Sequence, residues 1–108
     1  MNAIQRCIIK NVSDGEGNPA GGFVEGMGLK IEWQNGALGA GESRKEPNGA
    51  FVETVVAAAI QRLQYYQGTK FACRENAIAL THLETALLWL QKRTQEREAR
   101  GVEGTHQQ

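Results

Sequence analysis

Glycine and proline are confined almost entirely to one half of this sequence. Ten of the thirteen glycines and both prolines lie within the first fifty residues, whereas Gly68 is the single glycine of residues 51–100. Glycine disfavours a helix interior by about 1 kcal/mol and proline by about 3 kcal/mol relative to alanine, so long helices are expected only in the second half. We therefore predict an α+β fold, in which a small N-terminal antiparallel β-sheet is followed by a long antiparallel α-helical hairpin. With its 108 residues, the chain 1–108 is expected to be a single domain.

Residues 1–34 are predicted to be the β-rich part. Residues 6–12 (RCIIKNV) can form a strand, and residues 13–22 (SDGEGNPAGG) form a cluster of turn-favouring residues. Within residues 28–33 (GLKIEW), apolar and polar side chains alternate, which is typical of a strand with one buried face. Two or three such short strands are marginal alone, so a helix is needed to cover their apolar face.

Two helices are predicted, over residues 50–67 and 71–100, and the short connector between them contains Gly68. Asn48, which follows Pro47, is the expected N-cap of the first helix. A connector this short implies an antiparallel hairpin. The second helix carries more apolar residues than one partner helix can cover, which favours contacts between subunits and a homo-oligomer. The surplus residues are Ile78, Ala79, Ala86, Leu88 and Trp89.

Residues 35–49 form a glycine-rich segment that partly matches a phosphate-binding P-loop. Gly36 and Gly41 have the P-loop spacing, and Ser43 stands where the hydroxyl belongs. Glu42, however, occupies the position of the required lysine, and an anion there argues against a nucleotide-hydrolysing P-loop. The segment is instead expected to be a lid or a pocket wall whose glycines permit close backbone approach, and a disordered linker is the alternative.

Charge and cysteine content limit the functions open to the chain. Twelve basic and twelve acidic residues give a formal net charge of zero, so no global field attracts a nucleic acid polymer or an anionic membrane. No apolar run approaches the ~20 residues of a membrane helix, and no signal peptide is recognisable, so a soluble intracellular protein is expected. Cys7 and Cys73 lack metal or redox spacing and are expected to be reduced thiols, and no metal or cofactor is expected.

Arg93, Arg97 and Arg100 lie three or four residues apart and share one face of the predicted second helix. One interpretation is a solvated face with ion pairs, since Glu96 and Arg100 have i,i+4 spacing. The other is a row of guanidinium groups that binds phosphates. The tail, residues 101–108 (GVEGTHQQ), carries groups that bind anions but has the composition of a frayed terminus.

Residues 70–106 (KFACRENAIALTHLETALLWLQKRTQEREARGVEGTH) resemble the C-terminal helical hairpin of the phage cyclic-nucleotide sponges, the anti-Thoeris and anti-CBASS proteins. The motifs EWQNG and EPNGAF are similar to the anti-Thoeris branch, which places a small β-sheet ahead of the hairpin. The residues that carry the likeness of the hairpin are Phe71, Ala72, Arg74, Glu75, Asn76, Leu80, Leu83, Glu84, Ala86, Trp89, Leu90, Arg93, Arg97 and the closing RGVEGTH.

This resemblance implies a homo-oligomer, expected to be a hexamer, that binds cyclic nucleotide immune signals and does not cleave them. The implied signals are the cyclic ADP-ribose isomers of Thoeris and, for some family members, also the cyclic di- and trinucleotides of CBASS. The protein would act as an anti-defence protein in the cytoplasm of the infected bacterial host, and it would not be an enzyme.

The resemblance also implies which residues bind the ligand. Phe71 is the candidate base-stacking ring, and Asn76 would read a base or ribose edge. Arg97 and Arg100 are the candidate phosphate and ribose contacts, and Arg44 would reach over the ligand from a neighbouring subunit. A second site, of the trinucleotide type, would lie in the tail. Its candidates are Gly101, Gly104, Thr105 and His106.

Two other functions stay open on the sequence. An enzyme that degrades the same signal would need a nucleophile paired with a base, and His106 near Glu103 is the arrangement that comes nearest to one. A small phage structural or nucleic-acid-binding oligomer would use the C-terminal arginines on DNA, although the zero net charge argues against it.

Overall fold

The computed structural model describes residues 6–39, 42 and 44–99. Three strands precede two helices, and the described chain divides into two compact units between Phe51 and Val52, with the strands in the first unit and the helices in the second. The elements are β1 (Ile8–Ser13), β2 (Pro19–Gly26), β3 (Leu29–Glu32), α1 (Val52–Gln67) and α2 (Arg74–Ala99). The predicted α+β class is confirmed, while the expectation of one domain from chain length remains a prediction.

The three strands form one antiparallel sheet in the order β1-β2-β3, so β2 lies in the centre. Phe23 of β2 lies opposite Lys10 of β1 on one side and opposite Glu32 of β3 on the other. The register of β1 against β2 shifts between Asn11 and Ser13. The predicted first and last strands are therefore both present, with ends displaced by one or two residues.

The first turn is shorter than predicted. The turn cluster expected at residues 13–22 is too wide, because β2 already begins at Pro19. Asp14 holds the actual turn: its Oδ1 accepts hydrogen bonds from the backbone N–H groups of Glu16 (2.8 Å) and Asn18 (3.0 Å). Gly17, whose φ is 83°, also donates its N–H to the carbonyl oxygen of Asp14 (3.2 Å), so an aspartate and a glycine together close the turn.

Two glycines that look like turn residues in the sequence belong to the central strand. Gly21 and Gly22 lie in β2 with φ of 90° and 128°, a region that other residues rarely adopt. A Cβ at Gly22 would collide with the carbonyl oxygen of Lys10 in the neighbouring strand. Glycine is required here because two backbones approach closely, which a local reading of the sequence cannot show.

Three carboxamide residues, Gln34, Asn35 and Asn48, form a hydrogen-bonded group that we call the amide cluster. Oδ1 of Asn48 accepts a hydrogen bond from the N–H of Asn35 (2.8 Å), and its Nδ2 donates to the carbonyl oxygen of Asn35 (3.0 Å). The N–H of Asn48 donates to Oε1 of Gln34 (2.8 Å). The motifs EWQNG and EPNGAF are thus bonded to each other. The prediction of Asn48 as an N-cap is wrong, because α1 begins only at Val52 and the side chain is used in the amide cluster.

The backbone next to the amide cluster extends the edge of β3. The N–H of Ala50 donates to the carbonyl oxygen of Glu32 (2.7 Å), and the N–H of Gln34 donates to the carbonyl oxygen of Ala50 (3.0 Å). A Cβ at Gly49 would stand 2.5 Å from the carbonyl carbon of Trp33. The two backbone segments can therefore pair this closely only if residue 49 has no side chain.

The two helices form an antiparallel hairpin, as predicted. At the connector end, Oε1 of Gln67 accepts a hydrogen bond from the N–H of Cys73 (3.0 Å), and Nε2 of Gln67 donates to the carbonyl oxygen of Cys73 (3.0 Å). At the other end, Nη2 of Arg93 lies 3.0 Å from Oε1 of Glu53. Gln67 ends α1 and Glu53 lies in its first turn, so α2 runs back along α1.

Few side chains are fully buried in the part of the chain that the structure describes. Leu38 of the first unit is 7% exposed, and Ile60 and Leu80 of the hairpin are 8% and 9% exposed. The surplus apolar edge predicted for α2 is open, because Leu88 and Trp89 are 66% and 65% exposed. The hairpin therefore packs along one narrow stripe and leaves bulky apolar groups outside it.

We expect Gly49→Ala to lower the free energy of unfolding by about 1–3 kcal/mol, because the added methyl group is forced against a backbone that cannot move freely. Gly15→Ala is the matched control, since a Cβ at Gly15 meets nothing within 4 Å. Urea denaturation followed by tryptophan fluorescence measures both, in a Trp89→Phe background that leaves Trp33 as the reporting tryptophan. Equal unfolding midpoints for the two variants would contradict the close backbone approach.

Candidate functional site

The connector between the helices, residues 68–73, presents an exposed aromatic ring, and we call it the hairpin tip. Phe71 is 67% exposed. Nζ of Lys70 lies 5.4 Å from the centroid of the Phe71 ring, within the range of a cation–π interaction. The ring is thus paired with a cation and still largely open to solvent.

The backbone that carries Phe71 is fixed by Thr69. The Thr69 hydroxyl donates a hydrogen bond to the carbonyl oxygen of Tyr66 (2.6 Å) and accepts one from the N–H of Phe71 (3.1 Å). The N–H of Ala72 donates to the carbonyl oxygen of Thr69 (3.2 Å). These bonds form a turn at the end of α1, which is why α2 begins at Arg74 and not at residue 71 as predicted.

Asn76 is the second predicted site residue at this end of the hairpin. It lies in the first turn of α2 and is half-buried. The backbone N–H groups of a first helical turn lack partners within the helix, and the helix dipole places partial positive charge there. The structure therefore brings Phe71 and Asn76 to the same end of the hairpin, in surroundings that favour an anion.

Arg97 lies at the opposite end of α2 from the hairpin tip. It is 21 residues beyond Asn76 in the same helix. At 1.5 Å per residue, their Cα atoms are about 30 Å apart. A single copy of the chain therefore cannot bring Arg97 and Phe71 to one small ligand.

Arg93, which belongs to the predicted row of arginines, is used within the hairpin. Its Nη2 lies 3.0 Å from Oε1 of Glu53, which is partly buried at the start of α1. Nζ of Lys92 and Oε1 of Glu96 form an i,i+4 pair at 3.8 Å on the same helix. These pairs favour the interpretation of a solvated face with ion pairs for this part of α2, and they remove Arg93 from the groups that face a ligand.

Arg44 is the predicted site residue of the first unit, and it is exposed. In the same glycine-rich segment, the buried Leu38 accepts a hydrogen bond at its carbonyl oxygen from the N–H of Lys45 (2.6 Å). The described part of residues 35–49 therefore has a buried anchor and internal bonds, which a disordered linker lacks. The role of Arg44 against a ligand remains a prediction.

The remaining candidates lie outside the residues that the structure describes. They are Arg100, Gly101, Gly104, Thr105 and His106, together with Gly41 and Ser43 of the P-loop comparison. The second site in the tail therefore stays a prediction from the family resemblance.

One face of the sheet carries an open hollow of about 520 Å³ that includes none of the predicted site residues. Phe23 lies in the middle of its lining, flanked by Lys10 and Glu32 on the neighbouring strands. Nζ of Lys30 lies 3.7 Å from Oε1 of Glu32, and both side chains are exposed. Charges of opposite sign that pair across a solvated face are typical of the outer side of an antiparallel sheet, so this hollow resembles a sheet surface more than a ligand pocket.

A cation–aromatic group in the last turns of α1 is a feature that the sequence reasoning missed. Cζ of Arg62 lies 5.0 Å from the ring centroid of Tyr65 and 4.9 Å from that of Tyr66. A hydrogen bond to Tyr66, and then the electrostatic interaction with the same tyrosine, raise the pKa of Arg62 above its ordinary value. The i,i+3 and i,i+4 spacing in RLQYY is the signal that predicts such contacts on a helix.

Two negative findings concern only the described part of the chain. No group of three or more His, Cys, Asp and Glu side chains is arranged there to hold a metal ion. None of its helices is both long enough and apolar enough to cross a membrane.

The hairpin tip offers an aromatic ring and an ammonium group, which together suit a planar ligand that carries negative charge.

These features define a class of small α+β proteins, in which a three-stranded sheet precedes a helical hairpin with an aromatic ring and a cation at its tip. Residues 30–95, more than half of the chain, match the family model described as "Acb2/Tad1, hairpin domain". The chain therefore belongs to this family, which confirms the resemblance seen in the sequence. The match begins in β3 and includes Arg44, the amide cluster and the hairpin tip.

A relative from Bacillus phage SBSphiJ7, named Thoeris anti-defense 1, is 62% identical to this chain over 60 residues. The match covers 56% of this chain and 42% of the phage protein, so the chain spans less than half of the length of that relative. The name of the relative describes an anti-defence role against Thoeris for that phage protein.

The contact between Glu53 and Arg93 can be measured with a double-mutant cycle of Glu53→Gln and Arg93→Gln. We expect a coupling energy of about 0.5–1 kcal/mol at low salt that falls as salt is added, because Arg93 is exposed and solvent screens the pair. The matched cycle uses Lys92→Gln and Glu96→Gln, both exposed, and its coupling should be smaller. Thermal unfolding gives the four stabilities of each cycle. A coupling within error of zero at low salt for the first pair would mean that it does not hold the hairpin.

Proposed function

We propose that this protein is a phage anti-defence protein that binds and sequesters cyclic nucleotide immune signals without cleaving them. Membership of the Acb2/Tad1 family and the similarity to Thoeris anti-defense 1 support the proposal. The first ligand class is the cyclic ADP-ribose isomers of Thoeris, and cyclic di- and trinucleotides are the second. The protein acts in the cytoplasm of the infected bacterium, where it competes with the receptor of the signal.

The observation that carries the proposal is the exposed Phe71 ring at the hairpin tip, with the Lys70 ammonium beside it. A cyclic nucleotide offers flat base faces and negatively charged phosphates. Stacking one base on an aromatic ring contributes about 1–3 kcal/mol. Each hydrogen bond to a charged phosphate adds about 1.5–3 kcal/mol. One ring with two or three charged contacts therefore contributes about 4–12 kcal/mol. The upper half of this range corresponds to micromolar to nanomolar binding, which a pre-organised site can reach.

We further propose that the site is completed by a second copy of the chain. Arg97 lies about 30 Å from the tip of its own hairpin. When two α2 helices pack antiparallel, the tip of one helix lies beside the Arg97 end of the other. Leu88 and Trp89 supply exposed apolar surface for such packing. This is the physical argument for a homo-oligomer, and the hexamer is the form that the family resemblance implies.

The first test is calorimetric titration of the purified protein against cyclic ADP-ribose isomers, cyclic dinucleotides and cyclic trinucleotides. Each mixture is then denatured, and the released ligand is analysed by chromatography. We expect tight binding of at least one compound and its recovery unchanged. Chemically altered ligand would make the protein an enzyme, and no binding of any compound would reject the proposed function.

The composite site makes a prediction about mixed oligomers. Phe71→Leu keeps the apolar bulk but removes the ring, and Arg97→Ala removes the guanidinium, so each variant alone should bind about tenfold or more weakly. Unfolding and refolding the two variants together should restore tight binding at a fraction of the sites, because some sites then combine an intact Phe71 with an intact Arg97. Sedimentation velocity on each variant shows whether assembly is retained.

The control for this experiment mixes Phe71→Leu with a second sample of Phe71→Leu, which can restore no site. Failure of the true mixture to bind better than this control, with assembly intact, would mean that the ring and Arg97 do not share a ligand.

A further inference from the structure

The residue that precedes Phe71 places a cation against its ring. Nζ of Lys70 lies 5.4 Å from the ring centroid, while the ring remains 67% exposed. The ammonium therefore lies against part of the ring surface and leaves the rest available for a planar group. It is placed where the charged part of a stacked ligand would lie.

We propose that Lys70 binds a phosphate of the ligand that stacks on Phe71, and that Thr69 is the positioning residue of this ring. The inference rests on the proposed function and names two residues of its site that sequence reasoning did not assign. The ligand class is a nucleotide whose base and nearest phosphate are close enough to contact neighbouring residues of one chain.

Lys70 is suited to this role because its ammonium group can exchange a weak contact with the ring for a stronger contact with a phosphate. In the free protein the ammonium interacts with the face of an aromatic ring at an exposed position, which is a weak interaction. A hydrogen bond to a charged phosphate is stronger. The ligand therefore gains a charged contact from a side chain that already lies at the site, so little conformational freedom is lost on binding.

Three arginines of the described hairpin are committed elsewhere or lie far from the Phe71 ring. Arg62 lies over two tyrosine rings, and Arg93 contacts Glu53. Arg97 is about 30 Å along α2 and reaches a ligand only from a second copy. Lys70, by contrast, already lies against the ring. It is the phosphate contact that each chain gives to its own ring, and Arg97 is the contact that a second copy adds.

Thr69 holds the backbone that carries the ring. Its hydroxyl donates a hydrogen bond to the carbonyl oxygen of Tyr66 (2.6 Å) and accepts one from the N–H of Phe71 (3.1 Å). These two bonds connect the end of α1 to the backbone of Phe71. Without the hydroxyl, the backbone N–H of Phe71 loses its acceptor and the tip becomes freer. A looser tip binds the same ligand less tightly because ordering must then occur on binding.

The experiment compares Lys70→Met with Lys30→Met. Lys30 is the control because it is an exposed lysine of β3 whose Nζ lies 3.7 Å from Oε1 of Glu32, where we propose neither a ligand contact nor a subunit contact. Calorimetry is run with the cyclic ADP-ribose isomers and with the cyclic di- and trinucleotides at low and at high salt, and sedimentation velocity checks assembly. We expect Lys70→Met to bind about tenfold more weakly and with less dependence on salt, because a charged contact is lost. Lys30→Met should stay within about twofold of the unchanged protein.

The same titrations compare Thr69→Val with Thr69→Ser. Serine keeps the hydroxyl, so we expect it to bind within about twofold of the unchanged protein, whereas valine should weaken binding about fivefold or more. A role in stability alone would lower the melting temperature and leave affinity unchanged, so both quantities are measured.

The outcomes separate this inference from the proposed function. If the unchanged protein binds none of the compounds, both are rejected. If it binds and Lys70→Met binds equally well with the same salt dependence, the assignment of Lys70 is rejected while sequestration stands. If Thr69→Ser is as weak as Thr69→Val, or if neither differs from the unchanged protein, the positioning role of Thr69 is rejected.

Discussion

Two helices packed side by side can bury only the stripes along which they face each other. This constraint determines which apolar side chains of the hairpin remain exposed. Here the stripe is narrow, since Ile60 and Leu80 are the described hairpin residues exposed by less than a tenth. Bulky apolar groups of α2 off the stripe, such as Leu88 and Trp89, stay open to water unless another molecule covers them. The exposed apolar surface along α2 therefore originates in the limited area of one helix pair, and the exposed Phe71 ring belongs to the connector that joins the two helices.

Assembly and ligand binding depend on each other if the ring and Arg97 meet only between two copies. A ligand that binds the assembled form stabilises it by mass action, and dilution of the protein then weakens ligand binding. A sequestering protein has to exceed its ligand in amount to lower the free signal. With such coupling, the protein would bind the signal more tightly at high protein concentration than at low concentration. At low concentration it would therefore retain little signal.

Local sequence patterns predict the helices and the outer strands because these elements depend on near neighbours. The absence of glycine and proline indicates the helices, and the alternation in GLKIEW indicates β3. Local patterns do not predict the central strand. Residue 22 must be glycine because the backbone of Lys10, in another strand, lies too close for a side chain. For the same reason Asn48 fits the local pattern of an N-cap, but its actual partner is Asn35, 13 residues earlier in the chain.

The candidate site is predictable only in part. The family resemblance indicates Phe71, and its exposure follows from its place in the connector. The separation of Arg97 from the tip follows from the rise of a helix. The pairing of Arg93 with Glu53 joins residues 40 positions apart and depends on how the helices pack, so no local pattern contains it. The hydrogen bonds of Thr69 likewise need the coordinates, because a threonine after glycine has many possible partners.

The uninterrupted course of α2 from Arg74 to Ala99 has a consequence for how such chains can change in evolution. Inserting or deleting one residue in this helix would turn everything beyond it by about 100° and shift it by about 1.5 Å. Arg97 would then lie on a different side of the helix relative to Phe71, although both residues were kept. Gains or losses of seven residues, close to two full turns, would preserve the facing direction. Such a change would still move Arg97 by about 10 Å along the helix axis, so the proposed contact with a second copy constrains the length of α2 as well as its face.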